Sequence, residues 1–331
     1  MAYNRIKTPK FYIDAILLAR QLGYIKTENA QGKYYLNPTK TTDIVFSSDS
    51  DVKFIGIDFK NRYFLNSLTH CFILGHQLAT DNIQVLAKSQ TENIDGVFEE
   101  HLHTGNLQVS TNGWTKLDNF TQYKNINLKK FVIRLEGNAE SSTPIGDISA
   151  GWSWTAPHSP DMELTQTFAN ESLKTVNTKS GVTLSNTGWN QPPMWGTRPA
   201  WRHGTTFVSY PARRSWSLKF SYLNDTDLIP QDYNKIMTPN SNNYGIFERS
   251  FGEDDPATGD VDESTFPHYN VKQDFLSKVY AGTNGFQLPF IFQPDSTVEE
   301  YAIARVNANS VTMNQVSHNV YDISLSIVET W

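Results

Sequence analysis

Histidine and cysteine, the side chains that bind zinc in structural sites, lie close together in the segment SLTHCFILGHQL. His70, Cys71 and His76 are found there, and two more histidines follow in HLH (101–103). A structural zinc site needs four such ligands at characteristic spacings. In a strand His70 and Cys71 would point to opposite faces, and the chain has no second cysteine. The sequence therefore predicts no metal here and predicts that Cys71 packs as a small apolar side chain.

The acidic segment GEDDPATGDVDEST could bind a cation through its carboxylates. Its candidate ligands are Asp255, Asp260 and Asp262, because Ca²⁺ takes oxygen ligands. The spacing matches no EF-hand, since the D-x-D-x-D-G core is missing. A solvated acidic loop is the favoured interpretation.

Motifs of catalytic nucleophiles and phosphate-binding loops are missing from the sequence. G-x-S-x-G, G-x-x-x-x-G-K-[ST] and H-E-x-x-H do not occur. A glycosidase needs two carboxylates at a set separation, and the 34 acidic residues offer many pairs without selecting one. We therefore predict no catalytic residues and no cofactor, and an enzyme acting on polysaccharide is the weakest alternative.

Tryptophan and arginine are concentrated in the proline-containing segment GWNQPPMWGTRPAWRHG. These side chains provide large contact areas, and proline reduces the entropy lost on binding. The predicted interface residues are Trp189, Trp195, Arg198, Trp201 and Arg202. Exposure is favoured for Trp195 and Trp201. For Trp189, and for Trp152 and Trp154 upstream, a place in the core is an equal alternative.

Charge and composition exclude several classes of partner. The formal net charge is −6, from 28 Lys and Arg against 34 Asp and Glu, so the clustered positive charge that nucleic acid requires is not expected. A single cysteine allows no intrachain disulfide, which suits folding in a reducing cytosol. No segment approaches the roughly 18 apolar residues that a membrane span needs.

The elements that must position these residues are mostly strands. RRSWSLKFSYL places one set of side chains on a single face: Arg214, Trp216, Leu218, Phe220 and Tyr222. NVYDISLSIVETW alternates in the same way, and the last thirty or so residues are predicted to form an antiparallel meander. A helix is predicted over 270–282, with Asn270 as its cap and Gly282 as its end. Residues 12–23 fit either a helix or a strand.

The predicted fold is mainly β, with two antiparallel, jelly-roll-like β-sandwich domains and a few short helices. A chain of 331 residues suggests about two domains. The first is expected at 1–137 and the second at 148–331, joined by a linker at 138–147 that is rich in Ser, Thr, Gly and Pro. A long polar loop excursion is expected at 224–270.

The strand pattern also resembles a known group of proteins. DVKFIGIDF, then NSLTHCFILGHQLATDNIQVLAKS and NINLKKFVIRLEG, resemble the discoidin or galactose-binding-like jelly roll of many phage virion proteins. Its LGHNL-like turn is matched by LGHQL, with Gln77 in place of Asn. RRSWSLKFSYL, GFQLPFIFQPD and YDISLSIVETW are similar to tail-tip components of tailed phages. The order of the two modules is the reverse of that in well-known distal tail proteins.

The resemblance implies a non-enzymatic structural component of a phage tail. Such a protein, of the distal-tail or minor-tail kind, would lie at the tail tip, baseplate or distal tail and join the tail tube to fibres or receptor-binding proteins. It would form a ring-like homo-oligomer, contact tube, hub and fibre proteins, and be made and assembled in the host cytoplasm. The alternative is a carbohydrate-binding module that attaches the particle to a host-surface glycan.

Overall fold

The chain is a mainly β protein with antiparallel sheets, consistent with a β-sandwich, and this confirms the predicted fold class. The part of the chain that the structure describes contains three short helices. The structure is a computed structural model. It describes residues 7–28, 42–45, 51–59, 68–76, 83–89, 108–109, 114–117, 128–137, 142–162, 164–169, 174–185, 194–195, 198–199, 212–229 and 274–330. None of the helices in these ranges has the length and apolar character needed to cross a bilayer.

Among the described strands, the largest sheet has eleven, taken from both halves of the chain. From one edge to the other its strands are β12 (Thr165–Ala169), β17 (Arg213–Asn224), β21 (Val320–Glu329), β19 (Ala302–Val306), β18 (Phe290–Gln293), β1 (Lys10–Asp14), β11 (Asp147–Thr155), β5 (His70–Leu74), β8 (Trp114–Leu117) and β7 (Gln108–Val109). The eleventh strand, β20 (Met313–Ser317), pairs with β21.

A second sheet has four strands: β2 (Ile25–Glu28), β4 (Asp51–Phe59), β9 (Leu128–Gly137) and β6 (Ile83–Ser89). Three two-stranded ladders complete the described strands: β3 (Thr42–Val45) with β10 (Ser142–Ile145), β13 (Thr175–Asn177) with β14 (Thr183–Ser185), and β15 (Met194–Trp195) with β16 (Arg198–Pro199). Side chains of β4 and β9 share one buried cluster with those of β5 and β11, so the two larger sheets enclose a common core.

The predicted boundary at 138–147 falls between strands that share a sheet. β11, which follows it, pairs with β5 and β1, which precede it. Ser142–Ile145, inside the predicted linker, forms β10 and pairs with β3. The division into two domains stays a prediction, but the described strands on its two sides are joined by backbone hydrogen bonds.

The alternation predicted for RRSWSLKFSYL is confirmed as far as Phe220 and is wrong for Tyr222. The inward side chains up to that point are 1–2% exposed: Arg214, Trp216, Leu218 and Phe220. A bulge between Phe220 and Leu223 then inserts an extra residue. Tyr222 takes a φ of 63° and is 78% exposed, whereas Leu223 takes the inward position.

The prediction of a C-terminal meander is also wrong about which strands pair. β19 pairs with Ile327 to Glu329 of β21, and β20 pairs with the other end of β21, at Val320 to Ile323. Because β21 has ten residues, both short strands fit end to end along one of its edges. β19 therefore pairs with β21 and not with β20. The predicted inward side chains Ile323, Leu325 and Ile327 are buried.

Residues 12–23, which fit a helix or a strand, contain parts of both. The strand β1 ends at Asp14, whose carboxylate accepts hydrogen bonds from the N–H groups of Ile16 and Leu17 at 2.9 and 3.0 Å. This cap starts helix α1 (Ala15–Gln21), and Gly23, with a φ of 76°, follows its end. Opposite Asp14 lies Gly151, where a Cβ would collide with the carbonyl oxygen of Ile13.

Two further helices are short. Helix α2 (Asp225–Leu228) follows β17 directly. Helix α3 (Leu276–Ala281), which has π-helical hydrogen bonding, lies within the segment predicted to be helical. Asp274 accepts a hydrogen bond from the N–H of Ser277 at 2.8 Å at the start of α3, and Gly282 ends it as predicted. The predicted cap Asn270 lies outside the described residues.

Candidate functional site

The histidine and cysteine segment lies in the buried strand β5. Cys71 faces the main core and is fully buried, and burial raises the pKa of its thiol. His70 lies on the opposite face, edge-on to Tyr12 and Phe72 at 4.9 and 5.6 Å between ring centroids. Burial lowers the pKa of His70, and Lys10 and Lys116 lower it further. His70 is therefore a neutral packing residue, and the described residues contain no group of three potential metal ligands.

The predicted tryptophan interface is only partly described. Trp152 and Trp154 are 0% and 4% exposed and belong to the core, which decides the alternative that the sequence left open for them. Trp195 and Arg198 pair across the ladder β15–β16. Trp189, Trp201 and Arg202 lie outside the described residues, as do the candidate cation ligands Asp255, Asp260 and Asp262. The interface and the cation loop stay predictions.

A buried ion pair joins the start of β17 to the end of β21. The guanidinium of Arg214 donates from Nε and Nη2 to the carboxylate of Glu329 at 3.2 and 2.8 Å. It also donates to Glu300 at 2.8 Å and to the carbonyl of Tyr301 at 3.3 Å. Arg214 and Glu329 each lie on the inward, otherwise apolar face of their strand. A cation and an anion in otherwise apolar registers were the sequence signal for this pair, because buried charges need partners.

An open cleft of about 810 Å³ lies beside this ion pair. Three arginines line it, Arg213, Arg214 and Arg305, against one carboxylate, Glu329. Ser215, Val328 and Arg305 lie side by side on adjacent strands. Because alternate residues of a strand share a face, Arg213 points to the same side of the sheet as Arg305.

The hairpin β13–β14 has an apolar face that is exposed to solvent. Val176 pairs with Leu184, and the next pair is Thr178 with Val182, whose backbone N–H and C=O are 2.8 Å apart. The apolar members are 53–64% exposed: Val176, Val182 and Leu184. The opposite face is polar, and there Thr183 donates a hydrogen bond to Asn177 at 2.8 Å.

The turn of this hairpin is well defined by hydrogen bonds. The hydroxyl of Thr178 accepts from the N–H of Val182 at 3.1 Å, and Gly181, at a φ of 83°, donates its N–H to the carbonyl of Thr178 at 3.0 Å. Glycine fits this left-handed position without strain. The alternation TVNTKSGVTLS, with its K-S-G turn, was the overlooked sequence signal of this hairpin.

The edge strand β12 comes shortly before the hairpin in the chain. It is the outermost strand on its side of the described sheet. It contains no charged residue, and Phe168 is 52% exposed. An exposed, uncharged edge strand offers backbone N–H and C=O groups to another strand. The edge strand and the apolar hairpin are therefore two surfaces suited to protein contact.

Two acidic side chains with raised pKa values lie where β1 meets β11. Burial raises the pKa of Asp14 to about 6, although hydrogen bonds from Leu17 and Ile16 and the charge of Arg20 oppose this. Burial, together with the negative charge of Asp14, raises the pKa of Asp147 to about 8. The helix-capping role of Asp14 accounts for one of the two carboxylates in structural terms.

No protein-family model, no curated protein and no solved structure matches this chain.

Proposed function

We propose that the chain is a non-enzymatic structural component of a phage virion tail that works by self-association and by contacts with other tail proteins. In this proposal it lies at the tail tip, baseplate or distal tail, joins the tail tube to fibres or receptor-binding proteins, and is made and assembled in the host cytoplasm. The place in the virion rests on the sequence resemblance. The assembly role rests on the exposed surfaces.

The observation that carries the assembly role is the apolar face of β13–β14. An isolated two-stranded hairpin is marginally stable in water, yet every residue of these two strands is exposed. Burial in a contact would remove Val176, Val182 and Leu184 from water, which stabilises by about 25 cal/mol per Å² of apolar area. Contact with a second copy or another tail protein supplies that burial, and the exposed edge strand β12 offers a further surface for contact.

A charge on either face of the hairpin tests this role. Leu184→Asp places the charge on the apolar face, and Ser185→Asp places it on the polar face one residue away. We expect the unmodified protein to form oligomers at tens of micromolar in multi-angle light scattering. We expect Leu184→Asp to shift it towards monomer and Ser185→Asp to leave its mass unchanged. Circular dichroism checks that both variants fold.

Two results would overturn the assembly proposal. One is a protein that stays strictly monomeric at these concentrations, with and without other tail proteins. The other is an equal loss of mass in the two variants, since a specific apolar contact must distinguish the two faces of the hairpin.

A second candidate function is attachment to a host-surface glycan, and the polar, arginine-lined cleft favours it. The predicted contact residues Trp195 and Trp201 separate the two functions. If Trp195→Ala or Trp201→Ala abolishes sugar binding and leaves assembly intact, attachment is supported. If it abolishes assembly, the structural role is supported. A glycan array that stays silent at millimolar sugar removes the attachment function.

A further inference from the structure

The arginine-lined cleft has the size and charge of a site for a negatively charged ligand. Its volume of about 810 Å³ falls within the range of roughly 300–1,000 Å³ that is typical of small-molecule sites. The chain as a whole carries a net charge of −6, whereas three arginines and one glutamate line the cleft. Arg214 and Glu329 are buried and offset each other, so the exposed charge in the lining is that of Arg305. A concave surface of one sign concentrates ligands of the opposite sign.

The internal ion pair leaves the charge of Arg305 available. Glu329 neutralises Arg214 through two hydrogen bonds, and Glu300 contacts Arg214 from outside the cleft lining. Arg305 is exposed, and within the described residues no salt bridge joins it to a carboxylate. Arg305 and Arg213 lie on strands that flank β21 on opposite sides. Their strands are two strand spacings, about 10 Å, apart, and Arg213 lies two residues along β17 from Ser215, the residue in line with Arg305.

The remaining lining suits a hydroxylated ligand better than a bare ion. Amide and hydroxyl side chains surround the arginines: Gln287, Asn307, Asn309 and Thr330. They can donate to and accept from sugar hydroxyl groups. Val328 adds a partly exposed apolar side chain to this lining, whereas Phe286 and Val306 are buried behind it. A guanidinium binds carboxylate or phosphate through two parallel hydrogen bonds.

We propose that this cleft binds an anionic glycan, with Arg305 contacting a carboxylate or phosphate group on the sugar and the amides contacting its hydroxyl groups. The proposal names a ligand class and a site for the attachment function, on which it rests. It does not depend on the assembly role of the hairpin. Carboxylated and phosphorylated sugars share the charge that Arg305 recognises, so the experiment must include both.

Isothermal titration calorimetry at low salt tests the site with glucuronic acid, glucose 6-phosphate and glucose. We expect at least one of the two anionic sugars to bind and glucose to bind at least tenfold more weakly. The anionic sugar that binds more tightly shows whether Arg305 contacts a carboxylate or a phosphate group. Arg305→Gln is expected to weaken anion binding about tenfold or more, because a hydrogen bond to a charged group is lost. Arg305→Lys keeps the positive charge and is expected to weaken anion binding less than Arg305→Gln does.

The matched control is Arg134→Gln, which removes a partly exposed arginine from β9, outside the cleft. Its binding should equal that of the unmodified protein. If anionic sugars bind equally to Arg305→Gln, the cleft assignment is overturned while glycan attachment stands. If no sugar binds, the cleft assignment is overturned, and the glycan array decides whether the attachment function stands. If a triglutamate peptide binds through Arg305 more tightly than either sugar, the cleft recognises an acidic protein segment and the glycan assignment is wrong.

Discussion

Replacing Arg214 by methionine would leave a carboxylate buried without its cation. The side chains of Arg214 and Glu329 are 2% and 4% exposed, so water cannot take the place of the lost guanidinium. Methionine keeps much of the apolar volume of arginine, so the change removes charge and hydrogen bonds more than packing. Of the hydrogen bonds that residue 214 donates to the Glu329 carboxylate, only the one from its backbone N–H, 3.0 Å from Oε2, would remain.

The expected loss of stability is large for one substitution. Breaking a buried ion pair by removing one partner costs about 3–5 kcal/mol, because the other charge is left desolvated. The whole free energy of unfolding of a typical protein is only about 5–15 kcal/mol. Arg214→Met should therefore lower the urea midpoint substantially. Tryptophan fluorescence is a suitable readout, since the guanidinium carbon lies 5.3 Å from the ring centroid of Trp216.

The double variant Arg214→Met, Glu329→Leu separates charge burial from other causes. With both charges gone no ion is left buried, and apolar replacements of a buried pair are often neutral. The backbone N–H of residue 214 loses its acceptor, which costs about 1–3 kcal/mol. We expect the double variant to be more stable than Arg214→Met alone. A single variant that loses less than about 1 kcal/mol, or a double variant that is less stable than it, would refute the reasoning.

Two further predictions concern the junction of β1 and β11. Gly151→Ala should lower the free energy of unfolding by about 3 kcal/mol, since its Cβ would meet backbone atoms that cannot move aside. The control Gly181→Ala, in the exposed hairpin turn, should lower it by only about 1 kcal/mol. Equal losses for the two variants in urea unfolding would contradict this prediction. Because the pKa of Asp147 is raised from 3.8 to about 8 in the folded state, its contribution to stability is complete below about pH 4 and is lost as pH rises towards 8. Asp147→Asn should flatten that decline and raise stability at pH 8. The expected gain in the free energy of unfolding at pH 8 is on the order of 3 kcal/mol. This is less than the full pKa shift implies, because the side chain of Asp147 is only half-buried. Urea midpoints measured from pH 4 to 8 test the effect, and parallel curves for variant and parent would contradict it.

The sequence by itself determined the class of structure and the local alternation of its strands. Period-two alternation places side chains on opposite faces whatever the strand pairs with, so the inward residues of β17 up to Phe220 and those of β21 could be predicted. The same reasoning placed Cys71 and His70 on opposite faces, which argued against a shared zinc ion. The helix-ending role of Gly282 was also a local signal.

Only the tertiary structure decided which strands are neighbours and which faces are covered. The bulge that turns Tyr222 outward depends on how β17 pairs with β21. The partnership of Arg214 with Glu329 spans 115 residues, and nothing local to either residue selects the other. Whether an apolar side chain is buried depends on what packs over it. Trp152 is covered by the core, whereas Leu184, in an equally regular strand, is exposed on a hairpin.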